Sequence, residues 1–145
     1  MRERRCYDKA KYHHDAADFP KDLPLMQAYV HSGMFMGWLA DNDLIDTRDS
    51  SYADRVAQFK KREITCSKLY EAMGEGLLTD MLTEEGDDFA YDYFEFSRGS
   101  FISDYRELLV NGLPTDYHVA DTWANYEKLR ARIDERYRRW KGVRR

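Results

Sequence analysis

The segment from Leu25 to Leu39 has no polar face. Leu25, Met26, Ala28, Tyr29, Val30, Met34, Phe35, Met36, Trp38 and Leu39 fall on every side of a helix. A helix that is apolar all round belongs in the interior, so the rest of the chain has to wrap it. Asp22 ahead of Leu23-Pro24 suits the start of such a helix, because proline loses nothing in a first turn. Gly33 and Gly37 are four residues apart, share a face and admit a close neighbour. The polar run Asp41-Asn42-Asp43 ends the helix.

The flanking segments read as the wrapping. Ser51 suits an N-cap, with Asp54 three residues on. Tyr52, Val56, Phe59, Cys66, Tyr70, Met73 and Leu77 then recur at helical spacing, with Glu63 at the one missing step. Either that helix bends near Ile64-Thr65, or Glu63 sits at the edge of the core. Gly74, Gly76 and Gly86 break the chain up and leave a short helix over Leu77–Leu82. Phe89–Phe96 reads as a helix capped by Asp87 or Asp88. Phe101, Ile102, Tyr105, Leu108 and Leu109 form one face, stopped by Asn111-Gly112. Val119, Trp123, Tyr126, Leu129 or Arg130, Ile133, Tyr137 and Trp140 trace the longest stripe, with Gly142 just past its end.

Strands draw on β-branched aliphatics, and this chain has five Val and four Ile in 145 residues. The expected fold is all-α. It is a single domain over residues 1–145, with an irregular N-terminal arm over 1–23. A helical body over 24–141 places five to six helices around the buried one.

No stretch approaches the ~20 apolar residues of a membrane span, and no apolar h-region opens the chain. Cys6 and Cys66 stand alone, without a CxxC or Cys/His cluster. A reducing cytoplasm is the expected setting.

The net charge of −4 hides a strong segregation. Nine acids and no Lys or Arg lie between Glu71 and Phe96, whereas Lys128 to Arg145 carries nine bases against Asp134 and Glu135. The bland reading is that both blocks are solvated faces, or that they face each other. The functional reading is that the acids steer in a basic protein partner while aromatic residues anchor it. The residues for that role are Glu84, Glu85, Asp87, Asp88, Tyr91, Asp92, Tyr93, Phe94 and Glu95. Nucleic acid is disfavoured as a partner, because a sequence pI of about 5.6 lacks net basic character.

No residue set argues for catalysis. Ser97-Arg98-Gly99-Ser100 is not a nucleophile elbow, and Cys66 on the buried stripe reads as an inert hydrophobe. His13 and His14, with Asp15 and Asp18, match no spaced ligand motif, so neither a metal nor a cofactor is expected. His31 shares a face with Phe35 and Trp38 and is the best single candidate for a polar core network. A pocket near His31, Trp38 and Trp123 would make the chain a small enzyme or ligand-binding protein.

Three groups of residues carry a resemblance. The first is Tyr7-Asp8-Lys9-Ala10, then Tyr12-His13, then Asp18-Phe19-Pro20-Lys21-Asp22-Leu23-Pro24. The second is His31-Ser32-Gly33-Met34-Phe35-Met36-Gly37-Trp38. The third is Leu113-Pro114, Tyr117-His118-Val119, Asp121-Thr122-Trp123, Asn125-Tyr126, Ile133-Asp134, Tyr137 and Trp140. In this order the chain resembles a family of small, functionally uncharacterised bacterial proteins, with residues 44–96 matched least. Such proteins are similar to the immunity partners encoded beside bacterial toxins. The resemblance implies binding and neutralising a cognate, basic toxin, with residues 71–96 as the recognition surface. It brings no catalytic residues.

Overall fold

The computed structural model describes residues 3–144. The central helix, α2 (Val30–Asp41), is buried at every residue from Val30 to Ala40. A 3-10 turn over Leu25–Tyr29 leads into it from Pro24. The glycines set its neighbours. A Cβ on Gly33 would stand 2.6 Å from the carbonyl oxygen of Cys66, and one on Gly37 would stand 2.5 Å from the Phe59 ring. Phe59 belongs to α3 (Ser50–Lys60), and Cys66 opens α4 (Cys66–Ala72).

The long stripe from Tyr52 is two helices. Arg62 adopts a left-handed backbone conformation (φ 60°), and Thr65 caps α4. Glu63 falls in the exposed turn between them. The N-cap of α3 is Asp49 rather than Ser51, because the Asp49 carboxylate accepts from the Ser51 backbone N–H at 2.9 Å.

Two further corrections concern the arm and the segment after Gly74. The arm is not irregular: β1 (Cys6–Lys9) runs straight into α1 (Ala10–His14). Gly76–Leu78 is strand β2, followed by a 3-10 turn over Thr79–Met81, where a helix was expected. The two strands pair antiparallel, Cys6 with Leu78, Asp8 with Leu77 and Lys9 with Gly76, with an irregularity between Cys6 and Asp8. That irregularity matters. A regular strand sends alternate side chains to opposite faces, yet Tyr7 and Asp8 are both buried. Local pattern could not reveal this pairing, because β1 and β2 lie about seventy residues apart in sequence.

Thr83, not Asp87 or Asp88, caps α5 (Glu84–Phe89), which continues as a π-helical turn over Ala90–Phe94. Next come α6 (Phe101–Tyr105), a second π-helical turn over Arg106–Val110, and a 3-10 turn over Asp116–His118. The chain then enters α7 (Trp123–Arg144), which runs through Gly142. On α7, Tyr126, Leu129 and Ile133 are fully buried, so Leu129 rather than Arg130 continues the stripe. The described residues thus hold seven α-helices, with α2 at their centre, and one two-stranded sheet. None of the helices is long and apolar enough to cross a membrane.

Gly33→Ala and Gly142→Ala should shift stability in opposite directions. The first forces a methyl group into the α4 backbone and should cost about 1–3 kcal/mol. The second adds a methyl group in open space on a helix and should gain about 0.5–1 kcal/mol. Urea unfolding of both variants against the parent checks the pair.

Candidate functional site: an aspartate and two histidines under a cavity

The strand irregularity turns Asp8 into the interior, and three elements converge on it. His13 comes from α1, one helical turn after β1. His31 comes from the first turn of α2. His13 Nε2 lies 2.8 Å from Asp8 Oδ1 and 3.2 Å from His31 Nε2. His31 Nε2 lies 3.6 Å from Asp8 Oδ2. The hydroxyl of Ser32 donates to Asp8 Oδ2, and the Tyr70 hydroxyl of α4 reaches the same oxygen at 3.5 Å. On the outer side, His13 Nδ1 meets the Tyr117 hydroxyl at 2.9 Å.

The cluster is withdrawn from water but not sealed. Asp8 is 1% exposed and His31 3%, while His13 is only partly buried. His13, His31 and Tyr117 line a cavity of about 320 Å3, together with Asp18, Phe96, Ile102, Arg106 and Asp116. Arg106 is held by Asp116 in a two-pronged contact, Nη2 to Oδ2 at 2.8 Å and Nε to Oδ1 at 3.0 Å. One wall is therefore charged, while Phe96 and Ile102 supply an apolar one.

Burial shapes the ionisation of these groups. It pushes His31 down to about 4 against the opposing charge of Asp8, so His31 is neutral at pH 7. Burial alone would raise Asp8. The hydrogen bond with His13, the charges of the two histidines and the Ser32 hydroxyl together outweigh it, and the carboxyl sits below its ordinary value. Burial also raises Tyr117, to about 12, so its hydroxyl keeps its proton. One possible ligand atom from each of Asp8, His13 and His31 lies within 4.8 Å of the other two.

The residues expected to bind a protein partner are split between surface and core. Asp87, Tyr93 and Phe94 are buried, which corrects their place in a contact surface. Asp87 accepts from the hydroxyls of Tyr7 and Thr79, Tyr93 donates to Asp104 at 2.7 Å, and Phe94 stacks on Phe35. Glu84 and Asp92 are exposed, and Glu85, Asp88, Tyr91 and Glu95 are half-buried. Tyr91 lies under the guanidinium groups of Arg5 and Arg98. Part of the acidic block pairs with the basic one inside this chain. Glu85 meets Lys141 at 3.4 Å and accepts from the Tyr137 hydroxyl, and Asp92 accepts from Trp140 Nε1 at 2.8 Å.

The second expected pocket is also divided. His31 lines the cavity, but Trp38 and Trp123 do not. Trp38 is fully buried and donates to Asp134 at 2.8 Å, and Trp123 packs on Phe59 and Tyr126. His118 bonds the Thr115 hydroxyl at 2.8 Å, and burial raises the Cys66 thiol.

Sequence reading missed Asp8, Tyr70, Arg106 and Asp116, and it set His13 aside as part of a polar arm. A signal was present for several of the cluster residues. Asp8, His13, His31, Ser32 and Tyr117 all lie within the segments that carry the family resemblance.

Fold and site together define a small helical protein with a buried Asp/His cluster below an open cavity. The chain belongs to the family described as a domain of unknown function, DUF7832, whose model matches residues 6–119. That span includes every residue of the cluster and ends before α7. No curated protein and no solved structure matches the chain.

Stability of the metal-free protein should fall with acid. An unfolded His31 takes up a proton near its ordinary value of 6.5, and the folded one does so only near 4. Its contribution is therefore complete above about pH 6.5 and is lost as the pH falls toward 4. Below that, protonation of Asp8 continues the loss. Between pH 7 and pH 5 the His31 effect is about 2 kcal/mol. Urea titrations in EDTA should show that drop in the parent protein and a flatter profile in His31→Gln.

Proposed function

We propose that this chain binds a small polar molecule in the cavity over Asp8, His13 and His31, and that the cluster is the reactive end of that site. One observation carries the reading: a buried carboxylate converges with two imidazoles at the foot of an opening to solvent. Burying such groups costs stability, and a cluster of them facing a cleft is a mark of functional sites. The cavity, at about 320 Å3, lies within the usual size range of small-molecule sites. Its mix of Arg106, Asp18 and Asp116 with Phe96 and Ile102 suits a ligand that has one polar and one apolar edge.

Neutralisation of a basic protein toxin is the other reading. It draws on the acids of residues 84–95 that reach the surface, Glu84 and Asp92 foremost. It is the weaker of the two, because Tyr93 and Phe94 belong to the core and their contact area is spent there.

Ligand-detected NMR with a fragment set of small carboxylates, phosphates, amides and nucleosides tests the cavity reading. Fragments should bind the parent protein and compete with one another. Ile102→Trp, which fills the cavity from its wall, should abolish binding while leaving the circular dichroism spectrum unchanged. Hits that persist in Ile102→Trp, or no hits at all, would overturn the cavity reading.

A further inference from the structure

We propose that Asp8, His13 and His31 hold one divalent transition-metal ion, of the zinc, cobalt or manganese kind. The inference rests on the cavity reading only for what sits above the ion; the ligand set stands on its own geometry.

Spacing is the first argument. Zinc binds imidazole nitrogen at about 2.0–2.1 Å, which puts neighbouring ligand atoms of a four-coordinate site roughly 3.3 Å apart. The three separations here are 2.8, 3.2 and 3.6 Å. The first two share His13 Nε2, the third runs to the other Asp8 oxygen, and one donor atom from each residue lies within 4.8 Å of the other two, close enough for a single ion to reach all three.

Proton placement is the second argument. His13 Nε2 and His31 Nε2 face each other at 3.2 Å, so there is room for one proton between them, not two. A proton on His13 Nε2 can go to Asp8 Oδ1, 2.8 Å away, or to His31 Nε2, but it does not fully serve both. A divalent ion at that point would satisfy all three lone pairs at once and balance the Asp8 charge.

Two of the three ligands have outer partners of the kind a metal site uses. A ligating histidine is oriented by a hydrogen bond on its other nitrogen, and a ligating carboxylate by donors on its free oxygen. His13 Nδ1 has the Tyr117 hydroxyl, and Asp8 Oδ2 has Ser32 and Tyr70. Two imidazoles and one carboxylate suit first-row transition metals, whereas magnesium and calcium prefer oxygen throughout. Both histidines line the cavity and Asp8 does not. Three protein ligands leave coordination positions open, and the cavity is where a water or a ligand would reach them.

The test uses the full chain stripped with EDTA, titrated with Zn2+ by calorimetry and with Co2+ by visible absorption. One ion per chain is expected, with a Co2+ spectrum of low coordination number and nitrogen ligands. Asp8→Asn and His31→Gln should each weaken binding by more than about 100-fold, beyond the roughly 10–100-fold expected for Tyr117→Phe as an outer partner. His118→Gln and Cys6→Ser should leave affinity unchanged. Tyr117→Phe keeps its ring in place and reads the site even where Asp8→Asn does not fold. Absence of stoichiometric binding, or an affinity that His31→Gln and Tyr117→Phe leave intact, would sink the metal assignment. Ile102→Trp should retain the ion, so failure of the metal inference and failure of the cavity reading are told apart.

Discussion

Everything in this molecule answers to the complete burial of α2. Eleven consecutive residues, Val30 to Ala40, are buried, so cover has to arrive from every direction. Gly33 lets the α4 backbone come close on one side, and Gly37 lets the Phe59 ring in on another. Phe35 and Trp38 gather Phe89, Tyr93, Phe94, Phe101 and Tyr137 into one aromatic layer. Rings of that size bury large areas and hold preferred geometries, which is how a chain with few β-branched residues builds a rigid interior. The helix also contributes to the cavity, because its first turn carries His31.

Buried carboxylates tie the wrapping together. Asp41 at the end of α2 accepts from Tyr126 at 2.6 Å and from both Arg62 nitrogens at 3.0 Å, joining α2, α7 and the turn before α4. Asp104 accepts from Tyr93, Arg132 and Arg136, joining α6 to α7. Each is met by at least one guanidinium, and removing either partner would leave an uncompensated charge. Asp8 differs in kind. It is as buried as Asp104, yet its nearest ionisable neighbours are two imidazoles rather than guanidiniums, and both of those face a cavity. Asp41 and Asp104 tie helices together; the histidine partners of Asp8 line the cavity.

The charge segregation so visible along the chain is partly resolved inside it. Glu85 with Lys141 pairs an acid of one block with a base of the other, and Asp92 accepts from Trp140 on the same helix; Asp104, beyond the acidic block, holds Arg132 and Arg136. Acids that look like a steering surface in one dimension serve as anchors for α7 in three. This is the bland reading of the charge runs, realised for a part of each block.

The sequence by itself determined the helical class, the buried central helix, the close approach at Gly33 and Gly37, and the stripe of the last helix. Those features follow from periodicity, and periodicity is a property of neighbours along the chain. Only the tertiary structure decided the strand pair, the two-sided burial of Tyr7 and Asp8, and the meeting of Asp8 with His13 and His31. Tyr93 and Phe94 likewise went to the core rather than the surface only once α6 and α2 were in place. The site was illegible because its donors come from a strand, a short helix and the central helix. The strand owes its existence to a partner about seventy residues away. Hydrogen bonding to a distant edge, not local propensity, turned the arm into a strand and turned its aspartate inward.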